Sequence, residues 1–308
     1  MKIVFMGNPL IACSLLDSLY KSNHEIISVV SNAPKSMGRG RALKFTPVGD
    51  AAKALGIPLI SINSINDKKI IRQLEELKPD LFIIMAFRIL SDTLLDIPKI
   101  GSINLHASLL PKYRGAAPIQ YALMNGDEKT GITTFLIESK VDAGRIILQK
   151  EILILPEDDF GTISQKMAKN SGKLVLESIN ALNKNFMPII QNNDEVTFAP
   201  KISKSLYPID WNQDANLIHN KVRAFSPNPC AFTKINNKRL KVFKTNVIYD
   251  DSSKKIGDLI TLDKNRIAIA CKRNLLELIS IQVEGKKRIF VSDWIRGIHL
   301  PQNILIDQ

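Results

Sequence analysis

The chain has 308 residues with 45% hydrophobic and 23% charged side chains and a net charge of +12, which describes a globular protein long enough for two domains. No apolar run reaches the roughly 18 residues that a membrane-spanning helix needs, and MKIVFMGNP enters a predicted strand without a signal peptide. Three scattered cysteines and four isolated histidines argue against disulfides and a zinc site, and predict a cytoplasmic, metal-free protein.

Strand and helix patterns alternate through the first half of the chain. Near-continuous apolar runs predict strands at residues 2–7, 25–32, 58–62, 80–87 and 101–106. Helical patterns lie between them at residues 10–22, 47–55 and 67–77. Apolar strands separated by helices indicate a parallel sheet that is covered on both faces. The stretches GITTFLIES and RIILQKEILIL then predict an antiparallel extension, and a long helix follows over residues 162–183.

The second half of the chain has a different pattern. Residues 187–205 lack periodicity, contain two prolines, and are predicted to be a linker. One helix, ANLIHNKVRAF, and several short strand-like segments follow, which is typical of a small barrel or sandwich. The predicted fold class is α/β, with a doubly wound, Rossmann-like domain over residues 1–186 and a C-terminal OB-like β-barrel domain over residues 206–308.

Positive charge is concentrated towards the C-terminus. Residues 200–308 contain 19 Lys and Arg against 10 Asp and Glu, whereas residues 1–199 contain 23 against 20. This excess predicts a polyanionic partner, because neutralisation of phosphates dominates nucleic-acid affinity. The alternative is a lysine-rich composition that serves no such partner.

Two loops near the N-terminus bear on ligand binding. The turn MGNP has one glycine where a dinucleotide site needs GxGxxG, so we expect a tight turn rather than an NAD site. The loop SNAPKSMGRGRALK carries Arg39, Arg41 and Lys44 among glycines, on the sheet edge where ligands of α/β proteins bind. Because arginine can bind phosphate with two N–H groups, this position favours a functional loop over a merely solvated one.

The stretch NLHASLLPKYRG contains the most unusual residues of the chain. Asn104 and His106 are two apart on one predicted strand, so both side chains face the same side of the sheet at the carboxyl end of the strand. A lone strand histidine is more often structural, but a buried asparagine amide needs partners, and the pair predicts a site. Asp142, in KVDAGRII, by itself indicates only a turn.

The central stretch INLHASLLPKYRGAAPIQYALMNGDEKTGITTFLIESKVDAGRII resembles the folate-dependent formyltransferases. FMGNP, GRGRALKFTPV and RAFSPNP extend the resemblance over nearly the whole chain, and it is most specific over residues 103–147. The similarity is strongest to members of that family that act on initiator tRNA. It implies an enzyme that transfers the formyl group of 10-formyltetrahydrofolate to the amino group of methionyl initiator tRNA. We expect such an enzyme to be a cytoplasmic monomer without a membrane segment.

The resemblance also assigns residues by motif position. The family's catalytic residues correspond to Asn104, His106 and Asp142. Folate contacts are expected in the S-L-L-P loop and in the segment MAFRIL, at Ser108, Leu109, Leu110, Pro111, Phe87, Arg88, Ile89 and Leu90. The loop that meets the tRNA acceptor end in the family matches residues 34–44, with Arg39, Arg41 and Lys44 as the expected tRNA contacts.

Three positions depart from the family pattern. GNP replaces the usual GTP, MAFRIL is one residue shorter than the family's segment, and Cys230 replaces a frequent glycine. The catalytic trio is intact, and we expect Asn104 and His106 to donate hydrogen bonds to the developing oxyanion. Asp142 would orient or polarise His106 and relay the proton of the attacking amine.

Two classes of alternative remain at this point. An enzyme with the same donor could use a different acceptor, such as glycinamide ribonucleotide, a nucleotide-sugar amine or water. The C-terminal domain, the basic loop and RAFSPNP favour tRNA. A non-catalytic RNA-binding protein on the same scaffold would be expected to have a damaged trio, and no damage is visible.

Overall fold

The computed structural model describes residues 1–37, 42–184, 186–235, 237–250, 252, 254–297 and 306–307. Contacts between residues divide the chain into two compact units. The first unit comprises Met1–Pro118, Lys129–Leu153 and Ser164–Pro200. The second comprises Ile119–Glu128, Ile154–Ile163 and Lys201–Gln308. The domain boundaries inferred from the sequence, 1–186, 187–205 and 206–308, stay a prediction.

Strands and helices follow one another in the order that the sequence patterns predict, with several short elements added. The first group of strands is β1 (Lys2–Gly7), β2 (Glu25–Asn32), β3 (Lys35–Met37), β4 (Ala42–Lys44), β5 (Leu59–Ile62), β6 (Leu81–Met85), β7 (Gly101–His106), β8 (Lys129–Leu136) and β9 (Ile146–Leu153). The second group is β10 (Ala231–Ile235), β11 (Lys238–Ile248), β12 (Leu259–Asp263), β13 (Arg266–Ala270), β14 (Leu275–Val283), β15 (Ile289–Phe290) and β16 (Ile306–Asp307). The helices are α1 (Ile11–Tyr20), α2 (Pro47–Ala54), α3 (Lys68–Glu76), α4 (Asp92–Leu95), α5 (Pro118–Asn125), α6 (Phe160–Asn183), α7 (Ala215–Phe225) and α8 (Val291–Arg296).

In the first unit the described residues form a seven-stranded sheet in the order β5-β2-β1-β6-β7-β8-β9. Pairing is parallel from β5 to β7 and antiparallel for the last two strands. All five residues of β6 are buried, as are the last five of β1, because helices cover both faces of a parallel sheet. The antiparallel extension predicted from the sequence is therefore present, and β7 lies between the parallel part and this extension.

The turn after β1 is held by the asparagine that replaces the family's usual threonine. The Asn8 Oδ1 atom accepts hydrogen bonds from the Asn32 backbone N–H at 2.9 Å and from the Ser31 hydroxyl at 3.2 Å. These bonds join the carboxyl ends of β1 and β2. The departure at this position thus has a structural role within the first unit.

In the second unit the strands are antiparallel, in the order β12-β13-β14-β11-β10-β16, with β15 pairing with β14. Helix α7 packs on this sheet through Ile218, Val222 and Phe225, which join its buried hydrophobic core. The Asp214 side chain caps the helix by accepting a hydrogen bond from the backbone N–H of Asn216. The predicted fold class is confirmed, with a Rossmann-like α/β part followed by a β-rich C-terminal part.

Cys230 occupies a position where the backbone favours glycine. Its φ is 76°, in the left-handed region that glycine enters without strain. The buried thiol donates to the Pro227 carbonyl at 2.9 Å, and burial raises the pKa of the Cys230 thiol to about 11. The thiol is consequently protonated at neutral pH, which suits a packed side chain.

His219 makes the stability of the second unit depend on pH. Its Nδ1 lies 2.9 Å from the Thr245 hydroxyl, and burial, helped by the Arg223 charge and opposed by a hydrogen bond with the Pro156 backbone, lowers the pKa of His219 from 6.5 to about 4. The unfolded chain therefore binds a proton between these pH values that the folded chain excludes. We expect the free energy of unfolding to fall by about 3 kcal/mol as the pH drops from 6.5 to 4, with no contribution from this group above that range.

Urea unfolding of the wild type and of His219→Gln, measured between pH 4 and pH 7.5, checks this expectation. Glutamine keeps a polar side chain at this position and does not titrate, so the variant should lose that part of the pH dependence. Equal pH dependence in the two proteins would show that His219 is not its source.

None of the helices in the described part of the chain is both long enough and apolar enough to cross a membrane.

Candidate active site

Strand β7 carries two polar side chains to the carboxyl edge of the parallel strands. Asn104 and His106 are two residues apart, so their side chains lie on the same face of the sheet. His106 is buried, and Asn104 is half-buried. The Asn104 amide forms no hydrogen bond with another described residue, so its donors and its oxygen are available to a bound molecule.

A backbone carbonyl fixes the ring of His106. The Nε2 atom lies 2.8 Å from the carbonyl oxygen of Tyr113. Because a carbonyl can only accept, Nε2 carries the hydrogen and donates it, and the neutral ring has its lone pair on Nδ1. Nδ1 is therefore the ring nitrogen that can gain and lose a proton while the ring stays in place.

Asp142 faces that same nitrogen. Its Oδ2 atom lies 3.8 Å from the His106 Nδ1 and accepts a hydrogen bond from the Gly115 backbone N–H at 2.8 Å. Asp142 has a φ of 51°, as expected for a turn residue, and its side chain is 13% exposed. A carboxylate in this position can hold a protonated Nδ1, or a proton-bearing group that lies between the two side chains.

Two glycines let the backbone approach closely around this carboxylate. Gly115 has a φ of 126°, and a Cβ atom there would lie 2.5 Å from the Ala199 carbonyl oxygen. A Cβ atom on Gly144 would overlap the Leu136 carbonyl. The glycines of KYRG and DAG are thus required by close packing on either side of Asp142.

The loop Ser108–Pro111 follows β7 and is held by its neighbours in the sheet. The Thr133 hydroxyl donates to the Ser108 carbonyl at 2.7 Å and accepts from the Leu110 backbone N–H at 3.1 Å. The Gln149 amide nitrogen donates to the Leu110 carbonyl at 2.8 Å. Ser108 is fully buried, Leu110 is 3% exposed, and the Leu110–Pro111 peptide bond is cis.

The side chains of MAFRIL, the segment expected to contact the folate, differ widely in burial. Leu90 belongs to a buried core cluster, which Phe87 joins from its edge, whereas Ile89 is 71% exposed. The Arg88 guanidinium donates to the Asn32 side chain at 2.9 Å and to a backbone carbonyl at 2.7 Å. Contact of these residues with a folate stays a prediction.

The basic loop near the N-terminus is partly a hairpin. Strands β3 and β4 pair antiparallel, with Lys35 opposite Lys44, and Lys44 is exposed. Arg39 and Arg41 lie outside the described residues. The assignment of this loop to tRNA therefore stays a prediction.

The sequence alone did not identify several residues that lie around the site. Thr133 could have been found by the argument applied to Asn104, because the polar pair in GITTFL lies in a buried strand. Arg114 and Gln191 gave no comparable signal. Gln191 lies in the aperiodic segment predicted to be a linker, and it is 5% exposed, in contact with the loop that holds Asp142.

No set of three or more His, Cys, Asp or Glu side chains is placed to hold a metal ion within the described ranges. The described side chains around His106 supply hydrogen-bond donors and a carboxylate instead. Such a set can stabilise a developing oxyanion and move a proton.

Comparison with known proteins supports the resemblance stated from the sequence. Residues 1–179 match the family described as "Formyl transferase", and residues 201–299 match "Formyl transferase, C-terminal domain". A curated relative from Clostridioides difficile, "Methionyl-tRNA formyltransferase", is 39% identical over 299 residues, covering 96% of this chain and 97% of the relative.

Solved structures share the fold at low identity. An N-formyltransferase from Helicobacter canadensis, in complex with folinic acid and dTDP-3-aminofucose, has a TM-score of 0.65 at 19% identity, covering 94% of this chain and all of that one. HypX from Aquifex aeolicus in complex with tetrahydrofolic acid has a TM-score of 0.62 at 17% identity. That match covers 96% of this chain but 47% of HypX, so this chain spans about half of its length.

Proposed function

The chain belongs to the formyl transferase family, and from that premise we propose that it transfers the formyl group of 10-formyltetrahydrofolate to the amino group of methionyl initiator tRNA. The observation that carries the proposal is the similarity to methionyl-tRNA formyltransferases across both domains, at 39% identity over 96% of the chain. The product would be N-formylmethionyl-tRNA for translation initiation. We place the enzyme in the cytoplasm, where translation occurs, acting as a monomer.

A tetrahydrofolate-derived donor agrees with the fold relatives that hold tetrahydrofolic acid or folinic acid. In this chain, the apolar loop after β7 is the part that we assign to the donor. Leu109 packs against Gly131, where any side chain would collide with it, so the sheet beneath the loop is shaped for it. A rigid apolar wall would keep water away from the formyl group and so prevent its hydrolysis.

The reaction forms a bond between the amine nitrogen of the methionyl group and the formyl carbon, and it breaks the bond from that carbon to the folate nitrogen. A free α-amino group has a pKa of about 7.7–8.0, and esterification lowers it further, so much of the amine is neutral near pH 7. The demanding steps are therefore stabilising the oxyanion and transferring the amine proton to the departing nitrogen.

Asn104 and His106 have complementary roles in this proposal. The Asn104 amide donates to the oxyanion without changing its own charge, and no described neighbour competes for it. The His106 Nδ1 takes the amine proton and returns it to the leaving nitrogen, while Nε2 remains bonded to Tyr113. Asp142 holds the proton-bearing Nδ1 during the transfer. The Tyr113 carbonyl holds the opposite side of the ring through Nε2.

The tRNA would be held by the basic surface of the C-terminal domain and by the loop at residues 34–44. The excess of positive charge in residues 200–308, 19 Lys and Arg against 10 Asp and Glu, supports the assignment to the C-terminal domain. Arg39, Arg41 and Lys44 are the proposed contacts in the loop, by their resemblance to the family's basic loop.

A formylation assay tests the proposal and separates it from its rivals. The protein is incubated with 10-formyltetrahydrofolate and either charged methionyl initiator tRNA, glycinamide ribonucleotide or a nucleotide-sugar amine. We expect N-formylmethionine from the tRNA reaction and no formylated product from the other two. Transfer to a small amine but not to the tRNA would refute the proposed acceptor. Binding of tRNA without turnover would favour the non-catalytic alternative.

A further inference from the structure

Gln191 connects two loops of the first unit through a nearly buried amide. Its Nε2 donates to the carbonyl oxygen of Asp142 at 2.9 Å and to that of Gly144 at 2.7 Å. Its Oε1 accepts from the Arg114 guanidinium, at 3.1 Å from Nε and 2.7 Å from Nη2. Because carbonyls only accept and a guanidinium only donates, these partners allow a single orientation of the amide.

Arg114 is also held by its own backbone. Its N–H donates to the Thr197 carbonyl at 2.9 Å, and its carbonyl accepts from the Ala199 N–H at 2.8 Å. Arg114 is 4% exposed, and burial lowers the pKa of its guanidinium, whereas the Asp142 charge opposes this shift. A charged group at this depth needs partners, and the Gln191 oxygen is one of them.

Residues 189–199 run along the candidate site and are attached to it at both ends. One end pairs with strand β9 through Ile189 and Ile146, and the other lies alongside Arg114 through Phe198. Between them, Gln191 reaches the turn that contains Asp142. The segment that the sequence predicts as a linker thus contacts both loops that place the carboxylate.

We propose that Gln191 is a positioning residue, which sets the place of the Asp142 carboxylate relative to His106 by holding the Asp142 backbone carbonyl and tying it to Arg114. The Asp142 backbone has a left-handed φ of 51°, a conformation that is uncommon for a non-glycine residue and that surrounding hydrogen bonds help to hold. Two of these hydrogen bonds come from the Gln191 amide nitrogen. The Gln191 Oε1 atom accepts from Arg114, which lies in the KYRG loop. The next residue of that loop, Gly115, donates its backbone N–H to the Asp142 carboxylate.

The first test needs no enzymatic activity and so does not depend on the proposed function. Imidazole ring resonances are recorded by ¹H–¹³C NMR for the wild type, Gln191→Met and Gln191→Glu, with the His106 signal assigned by its loss in His106→Gln. Methionine removes both halves of the link, whereas glutamate keeps the acceptor for Arg114 and loses the donor. We expect the His106 signal to shift in both variants while the His24 and His219 signals stay in place.

The second test uses kinetics and rests on the proposed function. In formyl transfer to methionyl-tRNA, both Gln191 variants should lower kcat by up to about 100-fold without changing KM for either substrate, the cost expected of a misplaced catalytic group. Ile190→Ala is the matched control, because its side chain is adjacent and 79% exposed. Ser178→Ala, which removes a buried hydrogen bond to Thr134, controls for a general loss of stability.

The proposal is overturned by any of three results in folded protein. The first is an unchanged His106 resonance in Gln191→Glu, which decides the matter even if Gln191→Met does not fold. The second is a wild-type kcat in Gln191→Glu. The third is a fall of kcat in Ser178→Ala that equals the fall in the Gln191 variants when both lose the same thermal stability. If the wild type itself fails to formylate the tRNA, the proposed function is wrong, and the NMR result still judges the role of Gln191.

Discussion

Replacing His106 with alanine is expected to lower kcat for formyl transfer by about 1,000-fold, in the middle of the range that a positioned acid–base group contributes. The variant loses the ring nitrogen that faces Asp142 at 3.8 Å. It also leaves the Tyr113 carbonyl without the donor that it has at 2.8 Å. Single-turnover formylation of methionyl-tRNA, measured from pH 6 to pH 9, reports the rate of the chemical step without product release.

His106→Gln separates the two losses. Glutamine can still donate a hydrogen bond towards Tyr113, but it has no basic nitrogen that can accept the proton of the amine. We expect the same fall in rate as in the alanine variant, with better retention of thermal stability. A glutamine variant that transfers formyl groups nearly as fast as the wild type would mean that His106 acts only as a hydrogen-bond donor and that its proton is not used.

Asn104→Ala is the second change with a large expected effect, a fall in kcat of about 100- to 1,000-fold, as for other lost oxyanion donors. The amide is half-buried beside His106 on strand β7 and has no hydrogen bond to a described residue, so its donors can serve the substrate. Since the oxyanion exists only as the bond forms, KM should change little. Single-turnover transfer at saturating donor and tRNA measures the effect.

Strand β7 itself offers the matched control. Ser102 is on the same face as Asn104, two residues earlier, and its buried hydroxyl has no hydrogen-bond partner in the part of the chain that the structure describes. Ser102→Ala should leave the rate unchanged and not lower stability, because it removes an unsatisfied polar atom. If Asn104→Ala retains the wild-type single-turnover rate, the oxyanion role of Asn104 is wrong.

Local sequence patterns predicted the regular elements well where burial is continuous. Strands 2–7, 25–32 and 101–106 and the helix ANLIHNKVRAF have the predicted bounds, because an apolar run or a helical repeat specifies its own conformation. The short helices at residues 92–95 and 118–125 were missed, since one or two turns provide too little periodicity. The hairpin of β3 and β4 was also missed, because its strands have three residues each and a cationic sequence.

For the candidate site, the sequence alone determined that Asn104 and His106 share a face, because alternation along a strand is a property of the local backbone. It also supplied the family motif and hence the expectation for Asp142. Only the tertiary structure decided that a carbonyl of Tyr113 fixes the histidine ring and leaves Nδ1 facing the carboxylate. It alone revealed that Gln191 binds Arg114, 77 positions away in the chain. Such bonds depend on where separate loops meet after the sheet has formed, and no local pattern in the sequence encodes that meeting.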